Sequence, residues 1–185
     1  MHLRKIPMSS FLEKFRGQHA PLPPRLPVRQ IVLAGAGAAL AIGFVGALAQ
    51  FSHQPLLLGS LGASCVFLFG LPEAPFSQPR NVIAGHLLSS LVGLIFLKVF
   101  GPEMWALALA LGMAVTLMFF TRTVHAPAGS NPVIIFLTQP GWSFLLTPTL
   151  VGALGIVLIA LLFNNAVHPG RYPRYWLGRD SATSV

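Results

Sequence analysis

Residues 31–51 read IVLAGAGAALAIGFVGALAQF, and this stretch decides the fold of the chain. It contains no charged residue, and it matches the roughly 20 apolar residues that a helix needs to cross a bilayer. Three further stretches are similarly apolar, at residues 82–100, 103–120 and 144–163. The sequence therefore predicts an all-α fold, a polytopic membrane helix bundle with about four full spans.

The composition excludes an ordinary soluble domain. The chain of 185 residues is 54% hydrophobic and only 9% charged, and its mean hydropathy is +0.72. Soluble domains contain about 25% charged residues. The length suits a single membrane domain, which we place at residues 30–166.

Positive charge is concentrated at the two ends of the chain. The 12 Lys and Arg residues outnumber the 4 Asp and Glu residues, and most of them lie in residues 1–29 and in the tail 167–185. There they flank apolar stretches, which is the positive-inside pattern of membrane proteins rather than the folded basic face of a nucleic-acid binder. We expect a multi-pass protein of a bacterial-type inner membrane, in contact with the lipid bilayer, with both termini cytoplasmic and no nucleic-acid partner.

The sequence contains few of the residue patterns that catalysis or metal binding would need. Cys65 is the only cysteine, so neither a disulfide within the chain nor a thiolate metal site can form. The interiors of the predicted spans contain no acid, and the histidines are scattered. We therefore expect no enzymatic activity, no cofactor and no metal, and the missing acids also argue against cation transport.

Two apolar segments are too short or too broken to be ordinary spans. Residues 56–71 carry glycines and serines in their first half, and residues 133–137 are far too short to cross a membrane alone. If both segments are re-entrant, the chain has four spans; if both cross, it has six, and its halves are inverted. The shortness of residues 133–137 favours the re-entrant alternative.

The two halves of the chain repeat one order of features. Each half runs from a long span through His-x-Pro, a Gly-Ser segment and a Pro-broken loop to another long span. His53-Gln54-Pro55 corresponds to His125-Ala126-Pro127, and Gly59-Ser60 corresponds to Gly129-Ser130. This pattern predicts an internal two-fold repeat, and paired broken segments of this kind indicate the binding site of a transporter.

Small residues recur every four positions in three predicted spans. They are Gly35, Ala39, Gly43 and Ala47 in the first, Gly85, Ser89 and Gly93 in the second, and Ala106, Ala110 and Ala114 in the third. Such stripes allow helices to pack closely. Because they offer more packing surface than four spans need, we expect a homo-oligomer.

Polar residues near the broken segments are the candidates for binding a small anion. Arg80 opens a span and would attract anions, His86 is an ionisable residue inside a span, and His125 could donate a hydrogen bond or carry a proton. His53 is a weaker partner of His125. The remaining candidates, which could form two facing half-helix starts and their surroundings, are Gly59, Ser60, Ser64, Asn81, Gly129, Ser130 and Asn131.

At these residues the chain resembles the HPP family of membrane proteins, named after a His-Pro-Pro motif. The matching stretches are LGSLGAS at residues 58–64, QPRNVIAGH at 78–86, HAPAGSNP at 125–132, NN at 164–165 and YPRYW at 172–176. The resemblance covers roughly residues 28–177. It departs from the motif at Ala126, which stands where the family has its first proline.

This resemblance implies a membrane protein of about four spans. Plastid and cyanobacterial members of the family are associated with nitrite transport. The leading hypothesis is therefore a transporter or channel for a small inorganic anion, with nitrite as the best guess. The alternative is a non-transport scaffold or sensor that acts through helix–helix contacts. A transporter needs a polar path that connects the candidate residues, whereas a scaffold would bury them separately.

Overall fold

The computed structural model describes Phe15, residues 21–168 and residues 170–177. Parts of the predicted segments 1–29 and 167–185 lie outside these residues. Over the described residues the chain is helical and contains no strand, which confirms the predicted all-α class. Its α-helices are α1 (Val28–Ser52), α2 (Gly59–Gly70), α3 (Pro79–Phe100), α4 (Met104–Phe120), α5 (Asn131–Thr138) and α6 (Val151–Val167).

Three segments of the described chain are long and apolar enough to cross a membrane. They are α1, α3 and the run Trp142–Val167, which joins a 3₁₀ turn, a π-helical turn (Leu146–Leu150) and α6. The fourth predicted span forms α4, which has 17 residues and lies at the lower limit of about 17 for a spanning helix. A fourth full span therefore stays a prediction.

Prolines and left-handed residues set the limits of several helices. Pro79 occupies the first turn of α3 and Pro132 that of α5, where the missing backbone N–H breaks no helical hydrogen bond. Gly101, with a φ of 76°, ends α3, and Gln139, with a φ of 48°, ends α5. Because of these limits, α5 is only 8 residues long.

The first broken segment runs through the bundle in one direction. Leu57 lies beside Gly46, near the end of α1, while Phe69 packs on Gly37, nearer its beginning. So α2 returns along α1. The following loop then meets the C-terminal segment, since the hydroxyl of Tyr172 donates to the carbonyl oxygen of Ser77 at 2.9 Å.

The second broken segment and the residues that lead into it, 121–138 in all, pass alongside α3 in the same direction as α3. Asn81 donates to the carbonyl oxygen of Val124 at 3.1 Å, and Ser89 donates to that of Ala128 at 2.7 Å. Further along, a Cβ on Gly93 would lie 3.0 Å from the Cα of Pro132. Each broken segment, together with the residues that lead into it, therefore runs from one end of the bundle toward the other, and this direction favours the alternative in which both segments cross.

Two apolar clusters form the core. One joins α1, α2 and α6 around Ala41, Leu61 and Ile156, and the other joins α3, α4 and α5 around Leu94 and Ile135. Leu58, the residue before α2, packs against both clusters. The start of α2 therefore lies between the two halves of the molecule.

The small-residue stripes serve different purposes. Ala106, Ala110 and Ala114 on α4 are fully buried within the chain. By contrast, Gly35 and Gly43 of the α1 stripe are exposed, with nothing within 4 Å of an added Cβ. The α4 stripe is used for packing inside the chain, and the α1 stripe faces outward.

Candidate functional site

A serine in the middle of α2 bridges two buried histidines. The hydroxyl oxygen of Ser64 lies 3.0 Å from Nε2 of His86 on α3 and 2.7 Å from Nε2 of His125, which precedes the 3₁₀ turn Ala126–Ser130. The same hydroxyl lies 2.8 Å from the carbonyl oxygen of Ser60. Ser64 and both histidines have no exposed surface. Three segments that are distant in the sequence therefore meet at one hydroxyl group.

The protonation of His125 follows from its partners. Its Nδ1 lies 2.7 Å from the carbonyl oxygen of Phe76, which can only accept a hydrogen bond. Nδ1 therefore carries the hydrogen, and Nε2 of the neutral ring is an acceptor. The hydroxyl of Ser64 donates to that nitrogen.

The protonation of His86 follows in the same way from Asn131, the first residue of α5. The amide nitrogen of Asn131 lies 3.1 Å from Nδ1 of His86 and 3.3 Å from the carbonyl oxygen of His86. That carbonyl only accepts, so we assign the amide nitrogen to this position. Its two hydrogens are shared among the carbonyl oxygen of His86, Nδ1 of His86 and the hydroxyl of Ser90, and Nδ1 therefore accepts as well. Nε2 of His86 therefore donates to Ser64. Hydrogen bonds thus run in one direction, from Asn131 through His86, Ser64 and His125 to Phe76.

Two residues that the sequence analysis missed extend this network to the last span. The amide nitrogen of Asn131 donates to the hydroxyl of Ser90 at 2.8 Å, and Ser90 lies 3.0 Å from the hydroxyl of Thr149 in the π-helical turn. Ser90 follows His86 by four positions, so helical spacing could have placed it on the same face. No comparable signal marks Thr149.

Three buried side-chain atoms of the described residues have no hydrogen-bond partner: the hydroxyl of Ser60 and the side-chain oxygens of Asn81 and Asn131. Ser60 and Asn131 lie at the beginnings of α2 and α5. A buried polar atom without a partner destabilises the fold by about 1–3 kcal/mol.

Arg80 lies at the end of the bundle where α3 begins. Its guanidinium donates to the carbonyl oxygens of Thr121 and Arg122 at 3.1 and 3.2 Å. These carbonyls open the extended segment that carries His125. Arg80 therefore holds the end of that segment and places a positive charge near one end of the network.

Several predicted site residues lie outside the network. His53 is exposed at the end of α1, so it is not a structural counterpart of buried His125. Ser130 is exposed and its hydroxyl donates to the carbonyl oxygen of Pro127 at 2.9 Å. Gly59 is exposed and Gly129 is half-buried. The structure thus joins Ser64, His86, His125 and Asn131, and it separates Gly59, Gly129 and Ser130 from them.

The residue that departs from the His-Pro-Pro motif points away from the site. Ala126 is exposed, whereas the following Pro127 is buried. His125, which precedes both, keeps all its hydrogen bonds to Ser64 and Phe76. The replacement of a proline by Ala126 therefore leaves the buried contacts of His125 in place.

The C-terminal segment covers the loop that supports His125. The buried hydroxyl of Tyr172 donates to the carbonyl oxygen of Ser77, next to Phe76. The side chain of Gln78 donates to the carbonyl oxygen of Pro72 at 2.9 Å and accepts from the backbone of Arg174 at 2.8 Å. Burial raises the pKa of the Tyr172 phenol. The tail thus fixes the turn that orients His125.

The fold and this buried network define a polytopic helical membrane protein with a polar centre between its helices. The family described as HPP, transmembrane region matches residues 23–173, and the chain belongs to this family. The resemblance seen in the sequence is thereby confirmed.

Two transmembrane proteins of Dictyostelium discoideum are similar to the chain. One is 39% identical over 133 residues, which cover 68% of this chain and 47% of that protein. The other is 35% identical over 128 residues, which cover 65% of this chain and 41% of that protein. The chain thus spans less than half the length of these relatives. No solved structure matches it.

Proposed function

We propose that this chain is a membrane transporter or channel for a small inorganic anion, with nitrite as the best candidate. The observation that carries the proposal is the continuous hydrogen-bonded network of Ser64, His86, His125 and Asn131 inside an apolar bundle. Buried polar networks are costly in a membrane protein and are typical of substrate pathways. Nitrite comes from the resemblance to the family, whose plastid and cyanobacterial members are associated with nitrite transport.

Electrostatics favours an anion over a cation. The six described helices contain no Asp or Glu, whereas Arg80 lies at one end of the network. Glu73 and Glu103 precede α3 and α4 and lie outside the helices. A cation among these helices would meet no fixed negative charge from the described residues, whereas an anion would be drawn toward Arg80.

The two short helices support the same conclusion. Both α2 and α5 begin inside the bundle, and helix beginnings carry a partial positive charge. Broken helices whose beginnings meet at the middle of a membrane hold substrates in several transporter folds. We propose that the chain crosses the membrane six times in two inverted halves, as an internal repeat.

We further propose that the end of the bundle that carries Arg80 faces the cytoplasm of a bacterial-type cell. Arg29, Arg80 and Arg174 lie at this end, which suits the positive-inside pattern. In this arrangement both termini are cytoplasmic. The proposed function includes no catalysed reaction.

The second candidate function is a scaffold or sensor that acts through helix contacts. The exposed α1 stripe, Gly35, Ala39, Gly43 and Ala47, favours it because small residues let another helix approach closely. The same face suits a homo-oligomer of a transporter. The connected network of buried polar residues distinguishes the two candidates, since a scaffold needs no such connection.

Nitrite uptake into proteoliposomes tests the proposal. Wild-type protein should show saturable uptake, and His125→Ala and Arg80→Ala should lose most of it. Lys98→Ala is the matched control for a lost positive charge, because Lys98 is exposed at the other end of α3. Ser130→Ala is the control for a substitution close to His125 in the sequence, because Ser130 is exposed and outside the network.

Uptake that persists in the two controls and fails in the two site variants supports the proposal. If nitrite, nitrate, bicarbonate and formate all show no uptake above empty liposomes, the result would contradict anion transport and favour the scaffold or sensor.

A further inference from the structure

We infer that the serine-bridged histidine pair takes up one proton together with each anion, so that anion and proton cross the membrane as a neutral unit. This inference rests on the proposed anion transport and adds the identity of the second transported species. It is carried by the arrangement of donors and acceptors around Ser64.

The hydroxyl of Ser64 has two possible acceptors. In the neutral network it donates to Nε2 of His125 at 2.7 Å, and the carbonyl oxygen of Ser60 lies almost as close, at 2.8 Å. If Nε2 of His125 gains a proton, the hydroxyl hydrogen can turn to Ser60. The oxygen of Ser64 then accepts from both histidines. The network can therefore hold one additional proton with every hydrogen bond intact.

A second proton has no comparable place. It would have to bind Nδ1 of His86, but that nitrogen faces the amide nitrogen of Asn131 at 3.1 Å. Two donors would then point at each other. Rotating the amide of Asn131 does not help, because it would place the amide oxygen beside the carbonyl oxygen of His86, which in the structure lies 3.3 Å from the amide nitrogen. Two acceptors would then face each other. The capacity of the pair is therefore a single proton.

Among the residues that the structure describes, no fixed negative charge faces the pair. The contacts come from Ser60 and Ser64 on α2, His86 on α3, Asn131 on α5 and the carbonyl oxygen of Phe76, and none is a carboxylate. The described acid within the supporting loop is Glu73, which is exposed and whose carboxylate lies 3.9 Å from the guanidinium of Arg174. Arg80 donates to carbonyls at the end of the bundle.

A buried positive charge without a counter-ion is strongly disfavoured. An anion bound in the bundle supplies that counter-charge, and the protonated pair in turn favours the anion. Linkage requires the effect to be mutual, so each ligand raises the affinity for the other. The proton comes from water on the side from which the anion arrives, binds Nε2 of His125, and returns to water on the other side.

The test measures nitrite uptake into proteoliposomes whose membrane potential is set by potassium and valinomycin and whose internal pH is followed by a trapped dye. Empty liposomes report the passive flux of nitrous acid. Wild-type accumulation should not change with the potential, and about one proton should enter for each nitrite. An uncompensated single charge would instead shift the accumulation ratio about 50-fold per ~100 mV.

The variant His125→Gln cannot take up the proton, so any uptake that it retains should depend on the potential and bring in no proton. Ser130→Ala should remain coupled like the wild type. Nitrite uptake that follows the potential without internal acidification would overturn the inference and leave anion transport standing. Absence of uptake for every anion tested would overturn the proposed function itself.

Discussion

Gly85 lies directly against His125, because a Cβ on this glycine would come to 2.9 Å from the Cβ of His125 and 3.0 Å from the carbonyl oxygen of Thr123. Only a residue without a side chain allows α3 to approach the extended segment so closely. Since His86 is the next residue on α3, this approach also sets the separation of the two histidine rings, whose centres are 5.1 Å apart.

The variant Gly85→Ala should therefore displace His125 and destabilise the protein. Overpacking of this kind costs about 1–3 kcal/mol, and one of the obstructing atoms is a backbone oxygen that cannot rotate away. Thermal unfolding in detergent measures the effect. Gly112→Ala is the control, because nothing lies within 4 Å of its added Cβ. Equal unfolding temperatures for both variants would contradict the close contact.

Ser90 and Thr149 should be energetically coupled. Their hydroxyls are 3.0 Å apart and fully buried. Removing either one leaves the other without this partner, so Ser90→Ala and Thr149→Val should not add in the double variant. We expect a coupling of about 0.5–3 kcal/mol in a double-mutant cycle of unfolding free energies. Additive effects would show that the hydroxyls do not interact.

Tyr172 should make the stability depend on alkaline pH. The raised pKa means that the folded protein favours the neutral phenol. The contribution of the Tyr172 phenol to the unfolding free energy is complete below the ordinary tyrosine pKa of about 10. It is lost as the pH rises through the raised pKa. Tyr172→Phe should show a weaker loss of unfolding free energy above pH ~10 than the wild type. Tyr175→Phe, which changes a more exposed hydroxyl, should retain the wild-type profile.

The exposed stripe of α1 should hold copies of the chain together. Gly43→Leu adds a bulky side chain at an exposed position where nothing lies within 4 Å of an added Cβ. The fold of the single chain should therefore tolerate the change. We expect the mass of the detergent-solubilised protein to fall from that of an oligomer to that of one chain. Gly112→Leu on α4, also unobstructed, should leave the mass unchanged. A wild type that is already monomeric would contradict the proposed homo-oligomer.

The sequence predicted the elements of the fold better than their directions. Hydropathy predicted the bounds of the long helices to within a few residues, since the transfer of a helix into lipid depends mainly on the composition of its own residues. It did not determine how residues 56–71 and 133–137 run, because a short apolar run fits either a re-entrant segment or half of a broken crossing. Contacts such as that of Phe69 with Gly37 decide between them, and such contacts join distant parts of the chain.

The site was predicted by residue type but not by partner. His86 and His125 were recognisable as polar residues in or beside apolar stretches, and Ser64 and Asn131 as polar residues at the expected starts of the two short segments. The direct link between the histidines depends on where α2 lies, which no local pattern reveals. Ser130 shows the converse, since its place beside Asn131 suggested a shared site, whereas the structure leaves it exposed and outside the network.

The loop at residues 71–78 is held from both sides, by the C-terminal segment outside and by His125 within. Gln78 accepts from the backbone of Arg174, Tyr172 donates to Ser77, and Phe76 accepts from His125. Each of these two hydrogen bonds between the tail and the loop joins a side chain to a backbone atom, so it depends on Tyr172 or Gln78 and not on the residue opposite. Over evolutionary time, we therefore expect members of the family to retain or lose these two side chains together, although nearly one hundred positions separate them in the chain.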